Sequence, residues 1–261
     1  FQIACGYDDA DDSDDLRIDP GFKAACDRLP SGDDLASQPT MSRFENSMNF
    51  RDLYRIADVL IDQFISSYKV PPDALLLDID DTYDPTHGAQ QLSLFNAYYD
   101  EYCYQPLFIF EGQSGKLITS ILRPGRRPSG KETLAIIKRV IQRLRAAWPK
   151  VGILIRGDSH FATPELFAWC DSHEVQYITG LTSNSILKNH IHAAVSEARR
   201  EYELSGEKAR AFKQIRYQAG SWHRSLRVII MAEVSDMGNN VRFVVTSLES
   251  SRPSFLYESV Y

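Results

Sequence analysis

The sequence is poor in cysteine and contains no long apolar run. Its 261 residues include four cysteines, which lie far apart and form no Cys-x-x-Cys pair. Neither a zinc site nor a disulfide framework is expected, and buried thiols are the simpler interpretation. No stretch approaches the roughly 20 apolar residues that a membrane-spanning helix needs, and no charged-then-apolar leader opens the chain. These absences favour a cytoplasmic protein with no membrane partner.

The chain also lacks an excess of positive charge, since its formal net charge is −6. The shortage is local, because residues 8–34 hold ten aspartates against three basic residues and leave a net +1 for the rest. By contrast, the segment from Lys116 to Arg156 holds eleven basic residues and one acid, Glu132. Such a segment could follow a phosphate backbone, although a solvated helix face with a loop explains it equally well.

Apolar spacing predicts helices first and an α/β region after them. Leu53, Ile56, Leu60 and Phe64 lie at helical spacing. After residue 71, strand-like and helix-like segments alternate, which is typical of α/β proteins, and long β-type runs follow residue 204. We therefore predict four parts: an N-terminal helical accessory region at 1–70, a catalytic core at 71–203, a β-rich insertion at 204–250, and a return to the core at 251–261.

Two aspartate sites follow predicted core strands. One is Asp78-Ile-Asp80-Asp81-Thr82, and the other is Asp158 within Arg156-Gly-Asp-Ser-His160. Active sites of open α/β sheets collect at such strand ends, and alternation along the strand puts Asp78 and Asp80 on one face. Aspartates also end strands as turn residues, but clustered carboxylates repel one another and favour a divalent cation. Two such sites in one sheet favour metal-dependent chemistry.

The first site also fits the Asp-x-Asp-x-Thr signature of haloacid dehalogenase-like phosphatases. In that alternative, Asp78 is the phosphoryl-accepting nucleophile and Asp80 the general acid, around one magnesium ion. The second site departs from that family, because Ala162 stands where its last aspartate is needed. Two β-type runs, Tyr102 to Phe110 and Lys116 to Leu122, also predict a β-hairpin after the first motif, where that fold expects a helical turn. The phosphatase is therefore the second choice.

Several long segments resemble the transposases of bacterial insertion sequences, specifically the insertion-sequence 1380 group of the DDE superfamily. The resemblance covers essentially the whole chain. The segments that carry it are Gly6-Tyr-Asp-Asp-Ala-Asp-Asp, Leu35-Ala-Ser-Gln-Pro-Thr-Met-Ser-Arg-Phe-Glu-Asn46, Leu77-Asp-Ile-Asp-Asp-Thr-Tyr-Asp-Pro-Thr-His-Gly88, Leu122-Arg-Pro-Gly-Arg-Arg-Pro-Ser-Gly130, Arg156-Gly-Asp-Ser-His-Phe161 and Leu256-Tyr-Glu-Ser-Val-Tyr261.

The resemblance implies an α/β, RNase H-like core of mixed sheet flanked by helices, with an N-terminal helical region and a β-rich insertion. It implies that Asp80 is the first catalytic acid and Asp158 the second, both binding Mg²⁺ with Mn²⁺ as a substitute; Asp78 remains a close alternative to Asp80. The implied reaction is two-metal phosphodiester cleavage and strand transfer at the ends of the element. The implied partners are DNA, as terminal inverted repeats and target, and further copies of the chain assembled on it.

The third acid of such enzymes is a glutamate in a Tyr-x-x-Arg-x-x-x-Glu pattern, which this sequence does not contain. We therefore expect a fragment with weak or no activity, and a non-catalytic DNA-binding remnant is a further alternative. Five residues are expected to contact DNA, although packing or a solvated basic loop would also account for them. They are Arg123, Arg126, Arg127, Arg156 and His160.

Overall fold

The N-terminal unit, Phe1–Ile56, is helical and uses its aspartates as local hydrogen-bond acceptors. A computed structural model of the chain describes residues 1–88 and 90–261, and contacts divide it into this unit and Ala57–Tyr261. Asp19 Oδ1 accepts a hydrogen bond from Phe22 N at 2.6 Å, and Arg17 Nη2 pairs with Asp34 at 2.9 Å. The helices that begin in this unit are α1 (Ser13–Leu16), α2 (Pro20–Ala25), α3 (Gln38–Glu45) and α4 (Phe50–Ser66), of which α4 continues into the second unit.

The second unit alternates strands and helices. Its strands are β1 (Ala74–Asp81), β2 (Asp84–Pro85), β3 (Leu94–Asn96), β4 (Glu101–Tyr104), β5 (Leu107–Glu111), β6 (Lys116–Ile121), β7 (Gly152–Gly157), β8 (Gln176–Leu181), β9 (Ala209–Tyr217), β10 (Leu226–Ser235) and β11 (Gly238–Thr246). Its further helices are α5 (Gly130–Ala147), α6 (Pro164–Ser172), α7 (Ser185–Lys188), α8 (His192–Ser205) and α9 (Pro253–Phe255), with a π-helical turn at Leu256–Val260.

Eight strands form one mixed sheet in the order β6-β5-β1-β7-β8-β11-β10-β9. An antiparallel meander of β6, β5 and β1 lies beside the parallel strands β7 and β8, because β1 pairs antiparallel with β5 and parallel with β7. This is the RNase H-like arrangement, and the predicted fold class is confirmed. The long β-type runs after residue 204 extend the same sheet, since β11 pairs antiparallel with β8. The four predicted part boundaries stay predictions.

The core lies against the face of the sheet that carries the odd-numbered residues of β1. Leu75, Leu77 and Ile79 are buried there, so Asp78 and Asp80 belong to the opposite face, as alternation along a strand requires. Helix α5 contributes an apolar stripe to this core, including Ile137 and Leu144. No helix within 1–88 and 90–261 is long and apolar enough to cross a membrane.

The segment predicted as one β-type run from Tyr102 to Phe110 is two strands in two sheets. Strand β4 joins β2 and β3 in a small separate sheet, whereas β5 pairs with β1. The break falls at Gln105-Pro106, and proline cannot donate a hydrogen bond to a strand ladder. The prediction of one continuous strand was therefore wrong, although the β5-β6 hairpin itself was correctly expected.

Candidate active site at the strand ends

Parallel pairing of β1 with β7 brings the two aspartate motifs together. Asp78 lies opposite Arg156, and Ile79 opposite Gly157, so Asp80 and Asp158 follow at adjacent ends of the ladder. Asp158 also caps the short turn Ser159–Phe161, where its Oδ1 accepts a hydrogen bond from His160 N at 2.7 Å. An open groove of about 620 Å³ exposes Asp78, Asp80 and Asp158 together. Phe108, Phe110 and Tyr261 line the same groove.

Burial and the charges in this groove disfavour an ionised Asp80. Its carboxyl group is open to solvent on one side, yet the surrounding protein raises its pKa, and the negative charges of Asp158 and Asp78 raise it further. His160 acts in the opposite direction. A cation between Asp80 and Asp158 would relieve this repulsion.

The donor set fits Mg²⁺, a hard ion that binds through one or two carboxylates plus water and substrate phosphates. Among residues 1–88 and 90–261, no group of three His, Cys, Asp or Glu side chains is placed to hold a metal ion. Asp80 and Asp158 are the two carboxylates in this groove that have no arginine partner among the described residues.

Asp78 differs from Asp80 because an arginine neutralises it. Arg156 holds Asp78 through two parallel contacts, Nε to Oδ1 at 2.5 Å and Nη2 to Oδ2 at 2.6 Å. The third guanidinium nitrogen of Arg156 donates to the Val260 carbonyl at 2.9 Å. Arg156, which the sequence suggested as a DNA contact, is therefore engaged by the protein itself. Spacing left Asp78 and Asp80 as alternatives, and of the two it is Asp78 that an arginine neutralises.

Asp81 lies on the other side of β1 from Asp80 and forms a buried ion pair with Arg123. The Arg123 Nε also donates to the Gln105 carbonyl at 2.9 Å. Arg123 is only 7% exposed, and burial lowers its pKa to about 10, still well above neutrality. Arg123 would have to leave Asp81 to reach DNA. Sequence alternation indicated that Asp81 turns away from the site, but nothing in the sequence identified its partner.

His160 lies between the two aspartate motifs. Its Nδ1 is 3.7 Å from Asp158 Oδ2 and 3.8 Å from Asp81 Oδ2. Half of its side chain is exposed.

Arg126 and Arg127 occupy an exposed loop beside the small sheet. Arg126 pairs with Glu132, which also completes the capping box of α5 with Ser129. Glycine at position 125 lets the loop pack closely against β4, because a Cβ there would lie 2.2 Å from the Cys103 carbonyl oxygen. Of the suggested DNA contacts, Arg127 and His160 are exposed, Arg126 is exposed but paired with Glu132, and Arg123 and Arg156 are held by Asp81 and Asp78.

Comparison with known proteins adds a family. Residues 1–261 match the model of the family described as transposase DDE domain group 1. No curated protein matches the chain. Among solved structures, similar chains include piggyBac transposase in a synaptic complex with hairpin DNA, at 13% identity and a TM-score of 0.45, and Mos1 transposase in a paired-end complex, at 13% and 0.30. Endonuclease V of Ciona intestinalis, in complex with DNA, follows at 10% and 0.34.

The alignments cover 83%, 64% and 76% of this chain, respectively. They cover 44% of the piggyBac chain, 55% of the Mos1 chain and 83% of the endonuclease chain. The chain thus spans about half the length of the two transposases. The match that assigns a family is the one along the whole sequence, and by it this chain belongs to the DDE transposase family.

Proposed function

We propose that this chain is the catalytic part of an insertion-sequence DNA transposase in which Asp80 and Asp158 bind the divalent metal ions. The proposal rests on which of the strand-end aspartates have an arginine partner. Of the four aspartates at these strand ends, Asp78 and Asp81 are neutralised by arginines, whereas Asp80 and Asp158 line an open groove without such a partner. The two carboxylates left open are those that face each other across adjacent strand ends.

Bound Mg²⁺, or Mn²⁺ in its place, would activate a water or a 3′-hydroxyl and stabilise the leaving oxygen of the phosphodiester. The chain itself holds the two carboxylates at fixed strand positions and keeps Asp78 from competing for the ion. Arg127 is exposed and fits a contact to the DNA backbone, which positions a duplex without reading its sequence. Arg126, on the same exposed loop, would have to leave Glu132 to make such a contact. His160 stands beside Asp158, and half of its side chain is exposed.

The finer assignments follow from the resemblance and belong to the same proposal. They place the chain in the insertion-sequence 1380 group and make the terminal inverted repeats and the target DNA its substrates. Copies of the chain would assemble on the DNA in the bacterial cytoplasm. We also propose that a third carboxylate, the glutamate of the Tyr-x-x-Arg-x-x-x-Glu pattern, is needed for full activity. A longer chain that contains this glutamate should therefore cleave faster than the 261-residue chain.

The phosphatase alternative is not favoured. It requires Asp78 as a nucleophile, but both carboxylate oxygens of Asp78 accept charge-assisted hydrogen bonds from Arg156. A carboxylate held in this way is a weaker nucleophile and is not free to approach a substrate phosphorus.

The decisive experiment replaces Asp158 with asparagine in a chain extended through the glutamate. A duplex that carries the DNA end adjoining the reading frame serves as substrate, with Mg²⁺ or Mn²⁺. We expect Asp158→Asn to reduce nicking to background, while Asp236→Asn, an exposed aspartate between β10 and β11, leaves it unchanged. Undiminished nicking by Asp158→Asn would show that Asp158 is not a metal ligand and would overturn the proposal.

A further inference from the structure

A second groove lies on the other side of Asp158, toward the β-rich extension of the sheet. It has a volume of about 260 Å³, and Ser159, Ser183 and Arg242 line it. Asp158 and Tyr261 line both this groove and the catalytic one. A chain molecule that lies across Asp158 would therefore continue from one groove into the other.

The floor of the second groove is built around a glycine. A Cβ at Gly180 would lie 2.8 Å from the Tyr261 hydroxyl oxygen and 2.9 Å from Ser159 N. Glycine thus lets the turn after Asp158 and the Tyr261 ring approach β8 closely. On the neighbouring strand, Val244 pairs with Gly180 and Phe243 with Leu181, which puts Arg242 just beyond the last paired residue and at the rim of the groove.

Arg242 is an exposed cation that no carboxylate neutralises within the described ranges, 1–88 and 90–261. This contrasts with Arg156, which Asp78 neutralises, and with Arg210 on β9, which pairs with Glu233. A guanidinium group with two nearby hydroxyl donors is the usual chemistry for holding a phosphate group. The cation therefore stands where a phosphate next to Asp158 would need one.

We propose that Arg242, Ser159 and Ser183 form a phosphate-binding subsite that holds the DNA backbone beside the bond to be cleaved. The proposal rests on the proposed function and specifies how that function treats its substrate. The DNA strand crosses the sheet edge from β1 over β7 and β8 to β11, so the β-rich extension is part of the DNA-binding surface. A backbone phosphate is read here by charge and not by base sequence.

The first test compares Arg242→Ala with Arg200→Ala, which removes an exposed arginine from α8. Binding to the duplex of the DNA end is measured by fluorescence anisotropy at several salt concentrations, with Ca²⁺ in place of Mg²⁺. We expect Arg242→Ala to weaken binding roughly tenfold and to lower the slope of log Kd against log salt by about 0.9, the value of one lost phosphate contact. Arg200→Ala should change neither quantity, and Arg242→Lys should recover part of the affinity. Equal slopes for the wild type and Arg242→Ala would overturn the proposal.

The second test locates the contact on the DNA. A neutral methylphosphonate replaces one phosphate at a time on either side of the cleaved bond. At one position the wild type should lose roughly tenfold in affinity, whereas Arg242→Ala should lose nothing there because its contact is already absent. Equal sensitivity of both proteins at every position would show that Arg242 touches no phosphate.

A titration with inorganic phosphate distinguishes DNA from a free anion. The wild type and Arg242→Ala are compared. If only the wild type binds inorganic phosphate while both bind DNA equally well, the subsite holds a free anion and the DNA assignment is overturned. The failure of this inference is also distinguishable from failure of the proposed function. If the proposed function is wrong, Asp158→Asn cleaves normally. If only the phosphate subsite is wrong, cleavage still depends on Asp158, but the substitution of Arg242 has no effect.

Discussion

The four aspartates at the ends of β1 and β7 lie in similar sequence surroundings but differ in their charged partners. Asp78 and Asp81 each face an arginine, Arg156 and Arg123 respectively. Asp80 and Asp158 line one open groove, and burial together with the negative charge of Asp158 raises the pKa of Asp80. The difference lies in the arginines, which neutralise two of the four carboxylates and leave Asp80 and Asp158 without an arginine partner.

The largest expected effect separates Asp80 from Asp78. Asp80→Asn should weaken Mn²⁺ binding by roughly a hundredfold or more, because a direct ligand is lost, whereas Asp78→Asn should weaken it only roughly tenfold, as expected for a residue that orients its surroundings. Electron paramagnetic resonance of free and bound Mn²⁺ measures both constants without relying on turnover. The reverse order of the two losses would make Asp78 the ligand and would invalidate the comparison above.

The buried Asp81–Arg123 pair predicts a large effect on stability. Asp81→Ala leaves Arg123 buried and charged without its partner, so we expect a loss of about 3–5 kcal/mol in the free energy of unfolding, measured by urea titration. The double substitution Asp81→Leu with Arg123→Met removes both charges and should recover most of this loss. A double variant as unstable as Asp81→Ala would show that the loss comes from packing and not from an uncompensated charge.

A more exposed cluster, in which Arg224 and His223 both contact Asp171, should contribute less to stability. Asp171→Asn is expected to cost about 1 kcal/mol or less, since solvent screens the Arg224 side. Burial raises the pKa of Asp171, but the hydrogen bonds and charges of Arg224 and His223 outweigh it and lower the pKa below 3.8. The contribution is therefore present above pH 3.8 and is lost as the pH falls through the lowered value. Melting curves of wild type and Asp171→Asn should converge in acid; a constant gap at all pH values would contradict this.

The smallest effect concerns Glu132 at the start of α5. Hydrogen bonds from Arg126 and Ser129 lower its pKa to about 2 from 4.5. A lowered pKa stabilises the folded chain above pH 4.5, and this contribution disappears as the pH falls toward 2. Glu132→Gln should therefore lower the melting temperature slightly at neutral pH and not at pH 2. An unchanged melting temperature at neutral pH would indicate that the capping box alone, without the charge, holds this helix end.

Much of the site was predictable because the governing rules are local. Alternation along a strand puts Asp78 and Asp80 on one face, and the strand-end position of Asp158 follows from the apolar run before it. The partners of the aspartates were not predictable. Arg156 is 78 residues from Asp78, and Arg123 is 42 residues from Asp81, so these pairings depend on sheet order, which no local pattern contains. Arg242 was missed for the same reason, because β11 reaches Asp158 only through its pairing with β8.

The parallel pairing of β1 with β7 has a consequence for how such a centre tolerates change. Neighbouring strands lie about 4.8 Å apart. The backbone hydrogen bonds between Leu77–Ile79 and Ile155–Gly157 therefore set the distance between β1 and β7, whatever side chains the two strands carry. Replacement of Asp80 or Asp158 by another short side chain removes a carboxylate but leaves the strand spacing intact. The spacing of positions 80 and 158 is thus a property of the peptide backbone, and the surrounding loops can change without altering it.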